Sequence, residues 1–300
     1  MDRFEAMTIL VKVAETGSFT GAARALNTPL PSVSRKIAEL EAHLGARLLT
    51  RSTRRLAVTE AGAVYLAAAR RILEDIESAE RSASGEFQAP RGELTIAAPI
   101  VFGRLHVAPV VAEFLRSFPD ISVRLALSDR NADLLTDQID VAVRIGTLAD
   151  SSLLARRVGE VRRVCCASPD YLARRGAPDT PEELARHDGV AFAVIDQRAA
   201  WMFGRRGEFS GQPRVRLSVN TAEAALDAAM AGVGVTRALS YQAAQALSEG
   251  GLVRLLQAFE PEPIPVHLLF DGSGPTPLKL RSFLDFAVPR LSARLAAAAL

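Results

Sequence analysis

The sequence predicts an N-terminal all-α winged helix-turn-helix with a long linker helix, then an α/β region of two Rossmann-like subdomains. Three observations predict it. Apolar residues recur at steps of three and four over residues 4–44, and again from Tyr65 to Ala83. A basic block, Arg24, Arg35, Lys36, Arg47, Arg51, Arg54 and Arg55 against only Glu39 and Glu41, precedes an acidic stretch over residues 59–90. From Glu93 onward short apolar runs alternate with helical segments, and the pattern restarts at Arg163. The boundaries that follow are 1–60 for the winged domain, 59–88 for the linker helix and 92–300 for the α/β region. Within the last, subdomain I takes 92–162 and 265–300, and subdomain II takes 163–264.

The first helix rests on Phe4, Met7, Val11 and Ala14, which place one apolar face over residues 3–15 ended by Gly17. Ser18 is a candidate N-cap for a short second helix, Phe19 to Leu26, whose small residues Gly21, Ala22, Ala23 and Ala25 permit close packing. Asn27 suits the left-handed residue that closes it. Thr28 is read as the cap of a third helix, with Pro29 and Pro31 in the first turn, where amides have no helical partner. Leu30, Val33, Ile37, Leu40 and Leu44 form the apolar back of that helix; Pro31, Ser32, Arg35 and Ala38 lie opposite, flanked by Ser34 and Lys36. Such a face suits the major groove of double-stranded DNA.

Arg47 to Val58 alternates apolar residues around a polar tip, which reads as a β-hairpin or wing. Arg51, Arg54 and Arg55 would neutralise phosphates there and Thr53 would hydrogen-bond one; the competing reading is a merely solvated turn. Thr59 then caps a helix to about Ser84. Tyr65, Ala69, Ile72, Ile76, Ala79 and Ala83 are spaced as a coiled-coil seam, or as a stripe packed on its own domain. Gly85 to Gly92 punctuates a hinge.

Strands are expected at Leu94–Ala98, Val123–Leu127, Val141–Ile145, Arg163–Ser168, Val215–Val219, Val233–Thr236 and Pro265–Phe270. Helices are expected at Leu105–Ser117, Asp129–Asp137, Thr221–Ala231 and Leu278–Ala297, giving mainly parallel sheets covered by helices. Ligands bind such folds at strand carboxyl ends. The candidate ligand residues are therefore Ala98, Pro99, Ile100, Phe102, Arg144, Gly146, Thr147, Asn220, Thr221, Val235 and Thr236. Thr221 would hold an anion at a helix N-terminus; Arg144 would pair a carboxylate or form a structural bridge. Cys165 and Cys166 are adjacent, so one thiol should be buried on each face of a strand, in preference to a disulfide or a redox sensor. Trp201 is read as a core or rim aromatic.

Residues 1–62 resemble the DNA-binding domain of the LysR-type transcriptional regulators. Gly17-Ser18-Phe19-Thr20-Gly21-Ala22-Ala23-Arg24-Ala25-Leu26, Ser34-Arg35-Lys36-Ile37, Leu40-Glu41, Leu44-Gly45-Ala46-Arg47-Leu48-Leu49 and Leu56-Ala57-Val58-Thr59-Glu60-Ala61-Gly62 carry the likeness. It implies Ser32, Ser34, Arg35 and Lys36 at the DNA, with Ser18 and Thr20 near phosphates; Thr28 and Pro31 complete the candidate face. Pro29-Leu30 stands where many members have Ser-Gln, so a base-reading glutamine is replaced by a leucine that can touch only a thymine methyl. Phe118-Pro119, Asp140-Val141-Ala142-Val143-Arg144-Ile145-Gly146 and Ala231-Gly232-Val233-Gly234-Val235 extend a looser resemblance to the family's effector domain, which is periplasmic-binding-protein-like. Many relatives carry a serine or threonine near Pro99 for an effector carboxylate, and Ala98, Pro99 and Ile100 supply none. The resemblance implies a homodimer or homotetramer, a small-molecule effector and RNA polymerase as a further partner.

Among other classes, an enzyme is disfavoured: no serine elbow, metal cluster or paired carboxylates appear, and His43, His106, His187 and His267 are scattered. No cofactor, metal or catalytic residue is expected. A solute-binding protein would leave the basic N-terminus unexplained. No apolar run reaches the roughly 18 residues of a membrane span, so no membrane association is expected and the expected location is cytoplasmic.

Overall fold

The computed structural model describes residues 2–51, 56–83, 89–129, 134, 139–148, 151–192, 200–272, 274 and 276–298. The chain divides into two compact units, 1–89 and 90–300.

In the first unit, helices α1 (Arg3–Thr16), α2 (Phe19–Ala25) and α3 (Leu30–Leu44) pack around Ala6, Ile9, Leu10, Val13, Ala22, Val33, Ile37 and Leu40. Asp2 caps α1 by accepting from the Phe4 and Glu5 amides, and left-handed Gly17 ends it. Strands β1 (Leu49–Arg51) and β2 (Leu56–Val58) pair antiparallel, Leu49 opposite Val58, as the wing. Helix α4 (Glu60–Ala83) follows, capped by Thr59, whose Oγ1 accepts from the Gly62 amide at 2.9 Å.

The second unit holds two five-stranded sheets. The first contains β3 (Gly92–Ala98), β4 (Ile121–Leu127), β5 (Val141–Ile145), β6 (Leu153–Val161) and a late strand, β14 (Ile264–Asp271). Its order is β4-β3-β5-β14-β6; β3 is parallel to β4 and β5, and β14 antiparallel to β5 and β6. The second sheet contains β7 (Arg163–Ala167), β8 (Asp188–Phe192), β11 (Arg214–Val219), β12 (Val235–Leu239) and β13 (Val253–Leu255), ordered β11-β8-β12-β7-β13. Only β7 runs against its neighbours there. The chain thus changes sheets twice, between Val161 and Arg163 and again before Ile264, and in each sheet the strand made at the crossing is the antiparallel one. A hairpin, β9 (Trp201–Phe203) with β10 (Phe209–Gly211), flanks the second sheet sequence.

Helix α5 begins at Ile100, earlier than the predicted Leu105. Its segments Ile100–Phe102, Gly103–Val107 and Ala108–Ser117 run on without a break, the middle one as a π turn. At Gly103 the helix passes close to β4: a Cβ there would lie 2.2 Å from Leu127 Cδ2. Helices α6 (Pro169–Arg175), α7 (Ala222–Met230), α8 (Ser240–Ser248) and α9 (Leu278–Ala297) complete the unit. The predicted strand Val233–Thr236 is displaced to Val235–Leu239, because the Val233 amide still closes α7 by donating to Ala228. The helix predicted at Asp129–Asp137 falls largely outside the described residues.

One apolar core spans both sheets. Ile96, Ala98, Phe102, Phe114, Val143, Leu268 and Phe283 from the first share it with Val190, Phe192, Ala222, Leu239 and Tyr241 from the second. Ala98, Phe192 and Leu239 end their strands, so the two sheets meet at strand carboxyl ends. Cys165 and Cys166 are buried in different clusters, one on each face of β7, as their adjacency predicts.

Candidate nucleic-acid interface and ligand cleft

Asn27, at φ 48°, makes the turn between α2 and α3. Ser18 caps α2, its Oγ accepting from the Gly21 amide at 2.9 Å. Thr28 does not cap α3: its hydroxyl donates back to the Leu26 carbonyl, and Pro29 takes the cap position with no side-chain bond. The first turn of α3 therefore offers its end without a side-chain cap. Val33, Ile37 and Leu40 are buried, while Leu30 (41% exposed) and Leu44 emerge at the two ends of the stripe. Thr20, Pro31 and Arg35 are exposed; Ser32 and Ser34 are half-buried. The Arg35 side chain is 69% exposed with Glu39 Oε1 3.8 Å away, a loose pair that leaves the guanidinium available. Lys36 differs: its ammonium is bonded to Glu5 of α1 and braces α3 against α1.

The wing is held from below by a residue that sequence reasoning passed over. Glu41 Oε1 accepts from the Leu48 and Leu49 amides at 2.7 and 3.0 Å, fixing where β1 leaves α3. An acidic residue inside a basic block was the available signal. Thr59 ties the return, donating to the Arg47 carbonyl at 2.6 Å. Thr53, Arg54, Arg55 and the Arg51 side chain lie outside the described residues. On α4, Tyr65 and Leu66 pack against the three-helix core and Ala69 is buried, so the first half of the stripe is spent on its own domain. That burial raises the Tyr65 pKa, opposed by Arg3. Ile72 stays exposed further along, and the Ala79 and Ala83 side chains are outside the described residues.

In the second unit, Pro99 occupies the cap position of α5, and the Ile100 amide donates to Asp129 Oδ1 at 3.1 Å. Ala98 and Phe102 are core residues. Arg144 faces His267 across the β5–β14 ladder and is already engaged in an interaction of its own. Gly146 donates to the Pro265 carbonyl, and Thr147 is exposed. Asn220 is exposed beside Thr221, whose Oγ1 caps α7 by accepting from the Ala224 amide at 3.3 Å. Val235 and Thr236 are fully enclosed, Thr236 donating to the Val190 carbonyl, so their side chains are committed to packing. The fold thus gathers Pro99, Ile100 and Phe102 on one element, while Val235 and Thr236 lie beneath the surface.

His106, absent from that set, sits on the π turn of α5. Its ring lies 4.8 Å from Phe102 and 5.6 Å from Tyr241, which comes from α8 of the other sheet. Burial and the Arg294 charge lower its pKa to about 4, so the ring is neutral at pH 7. Burial likewise pushes the Cys166 thiol up to about 12, which removes the thiolate that redox chemistry needs. Trp201 is a core aromatic, with the Arg237 guanidinium 5.2 Å from its ring centre.

Comparison with known proteins bears on both units. Residues 4–63 match the bacterial regulatory helix-turn-helix protein, lysR family, and residues 87–292 match the LysR substrate binding domain. The chain belongs to the LysR family. An HTH-type transcriptional regulator of Xanthomonas campestris pv. campestris (strain 8004) is 38% identical over 290 residues, 95% of this chain and 84% of its own length. The HTH-type transcriptional activator AaeR of Escherichia coli (strain K12) is 31% identical, over 95% of this chain and 93% of its own. The solved structure of CrgA, a LysR-type regulator from Neisseria meningitidis, is 32% identical with a TM-score of 0.61, covering 96% of this chain and 98% of its own.

As a LysR-type protein the chain is a DNA-binding transcription regulator with a small-molecule effector domain. Among the described residues no helix is long and apolar enough to cross a membrane, and no group of side chains could hold a metal ion.

Proposed function

We propose that α3 reads operator DNA through Ser32, Ser34 and Arg35, with Ser18, Thr20, Thr28, Pro31 and the wing residues Arg51, Thr53, Arg54 and Arg55 placing the backbone. The observation that carries this reading is the outer face of α3: an exposed, loosely paired Arg35 beside a helix N-terminus that no side chain caps. Guanidinium can bond guanine bidentately. Lys36 acts one step back, as the positioning partner of Glu5. Leu30, exposed next to this face, offers a thymine methyl contact where relatives offer glutamine. A homodimer or tetramer would present two such faces to a dyad site, and the exposed Ile72 on α4 supports pairing of the linker helices.

Effector binding falls between the two subdomains, where the strand ends meet, with Pro99, Ile100, Gly146, Thr147, Asn220 and Thr221 at its rim. No catalytic step and no cofactor enters this scheme; the protein acts in the cytoplasm, on DNA and RNA polymerase. A ligand alters transcription by binding two arrangements of the subdomains unequally.

Electrophoretic mobility shift on the operator tests the DNA reading. Arg35→Ala should weaken binding by about 10- to 100-fold and relax base preference. Unchanged affinity and preference would remove α3 as the reader.

A further inference from the structure

The head of α3 is apolar and open. Pro29, Leu30 and Pro31 are three consecutive exposed residues. Leu30 begins the stripe whose next members, Val33, Ile37 and Leu40, are at most 2% exposed, yet it is 41% exposed itself and is not among the side chains packed on that core. A run of exposed apolar residues is a liability unless a binding surface uses it.

The same place is poor in free hydrogen-bonding groups. Neither proline carries an amide hydrogen. The Ser32 and Val33 amides both donate to the Pro29 carbonyl, at 2.9 and 3.2 Å. The Thr28 hydroxyl is turned back and donates to the Leu26 carbonyl at 3.1 Å. A recognition helix brings its N-terminal residues to base edges in the major groove. The apolar group on those edges is the C5-methyl of thymine; the other groups there donate or accept hydrogen bonds. An apolar head gains from covering the methyl and loses from covering an amino or keto group, which it leaves without a partner.

We infer that Leu30, shouldered by Pro29 and Pro31, reads the C5-methyl group of one pyrimidine in each operator half-site. A cytosine methylated at C5 shows the same group at the same place. The protein therefore distinguishes 5-methylcytosine from cytosine at that position, and its grip on the operator responds to base methylation. Hydrogen-bonded readout is left to Ser32, Ser34 and Arg35. This rests on α3 being the operator reader, and it adds the chemical group that the head of the helix selects.

The test uses the full-length protein and a duplex that it selects from a randomised pool, with affinity read by mobility shift at fixed salt. Each thymine of a half-site, together with its dyad mate, is replaced by deoxyuridine, which removes the methyl and keeps both ring carbonyls. At least one position should respond, losing about three- to fivefold per half-site and about tenfold for the pair. With that base pair changed to C·G, methylation of the cytosine at C5 should raise affinity by the same factor. In Leu30→Gln both differences should vanish. Uracil substitutions that leave binding unchanged, equal affinity for cytosine and 5-methylcytosine, or an undiminished response in Leu30→Gln would each overturn the inference. Should Leu30→Gln not fold, Leu30→Ala, read in the same way, decides. Binding that ignores the methyl but is weakened by Arg35→Ala sinks this inference alone. Binding that Arg35→Ala leaves unaltered removes α3 as the reader, so the two failures are distinguishable.

Discussion

Replacing Gly62 by alanine should destabilise the DNA-binding unit, against the ordinary preference of helices. Alanine in a helix interior is favoured over glycine by about 1 kcal/mol. At Gly62, however, a Cβ would lie 2.0 Å from the Leu48 carbonyl oxygen and 2.8 Å from its carbon. Leu48 cannot drift away cheaply. Its amide is held by Glu41, and its carbonyl accepts from the Thr59 amide at 3.0 Å. Relief requires a backbone shift of more than about 1 Å, at an overpacking cost of about 1–3 kcal/mol. Loosened bonds to Leu48 add roughly 1 kcal/mol. Setting the helix gain against these leaves a net loss of about 2 kcal/mol, or roughly 10 °C in Tm for a unit of this size. Calorimetry of the full-length protein, following the transition of the DNA-binding unit, reads it directly. An unchanged or raised Tm would refute the packing argument. Because the same clash re-angles α4 against the wing, operator affinity should fall along with stability.

Removing the brace at Glu41 with alanine orphans the Leu48 and Leu49 amides; we expect a loss of about 2 kcal/mol by denaturant unfolding, whereas Glu41→Gln should retain most of it. For His106, the folded pKa of about 4 lies below the reference 6.5, so the unfolded chain binds the proton more readily. The associated stability is complete above about pH 6.5 and declines toward pH 4, by about 3 kcal/mol in all. His187 and His267 are shifted in the same direction by burial. His106→Leu should flatten that slope in pH-dependent melts, and a slope identical to wild type would contradict the assignment. Finally, Cys165 and Cys166 should resist a thiol reagent at pH 8 until the protein unfolds; rapid native labelling would show that one of them reaches solvent.

The two units differed in how far the sequence alone revealed them. In the first, the buried positions Val33, Ile37 and Leu40 follow a helical period, and Gly17, Ser18 and Gly45 mark helix ends by their backbone chemistry, so α1 to α3 were legible. The cap of α3 was not: Thr28 had the right chemistry, yet its hydroxyl found the Leu26 carbonyl first. Local side-chain bonds of that sort compete on nearly equal terms and leave no periodic trace. In the second unit β5 and α9 were legible to the residue, while β6 was missed. Its run Leu153–Val161 is interrupted by Arg156 and Arg157 because much of it faces solvent at a sheet edge. Strand β8 was missed for the opposite reason, being short and wholly buried without alternation. Of the strand-end candidates, Pro99 and Ile100 lie together at the start of α5, whereas Val235 and Thr236 are buried. Asp129 and His106 escaped because their significance lies in contacts, which have no spacing.

The two prolines at the head of α3 also bear on the thermodynamics of docking. Pro29 and Pro31 fix their φ angles before any duplex is present, so the segment around Leu30 has little backbone freedom left to lose on binding. Loosening the segment, for instance with Pro31→Gly, should then show in calorimetric titration as a larger unfavourable binding entropy at nearly constant enthalpy, a penalty in rigidity although no contact with the bases has been removed.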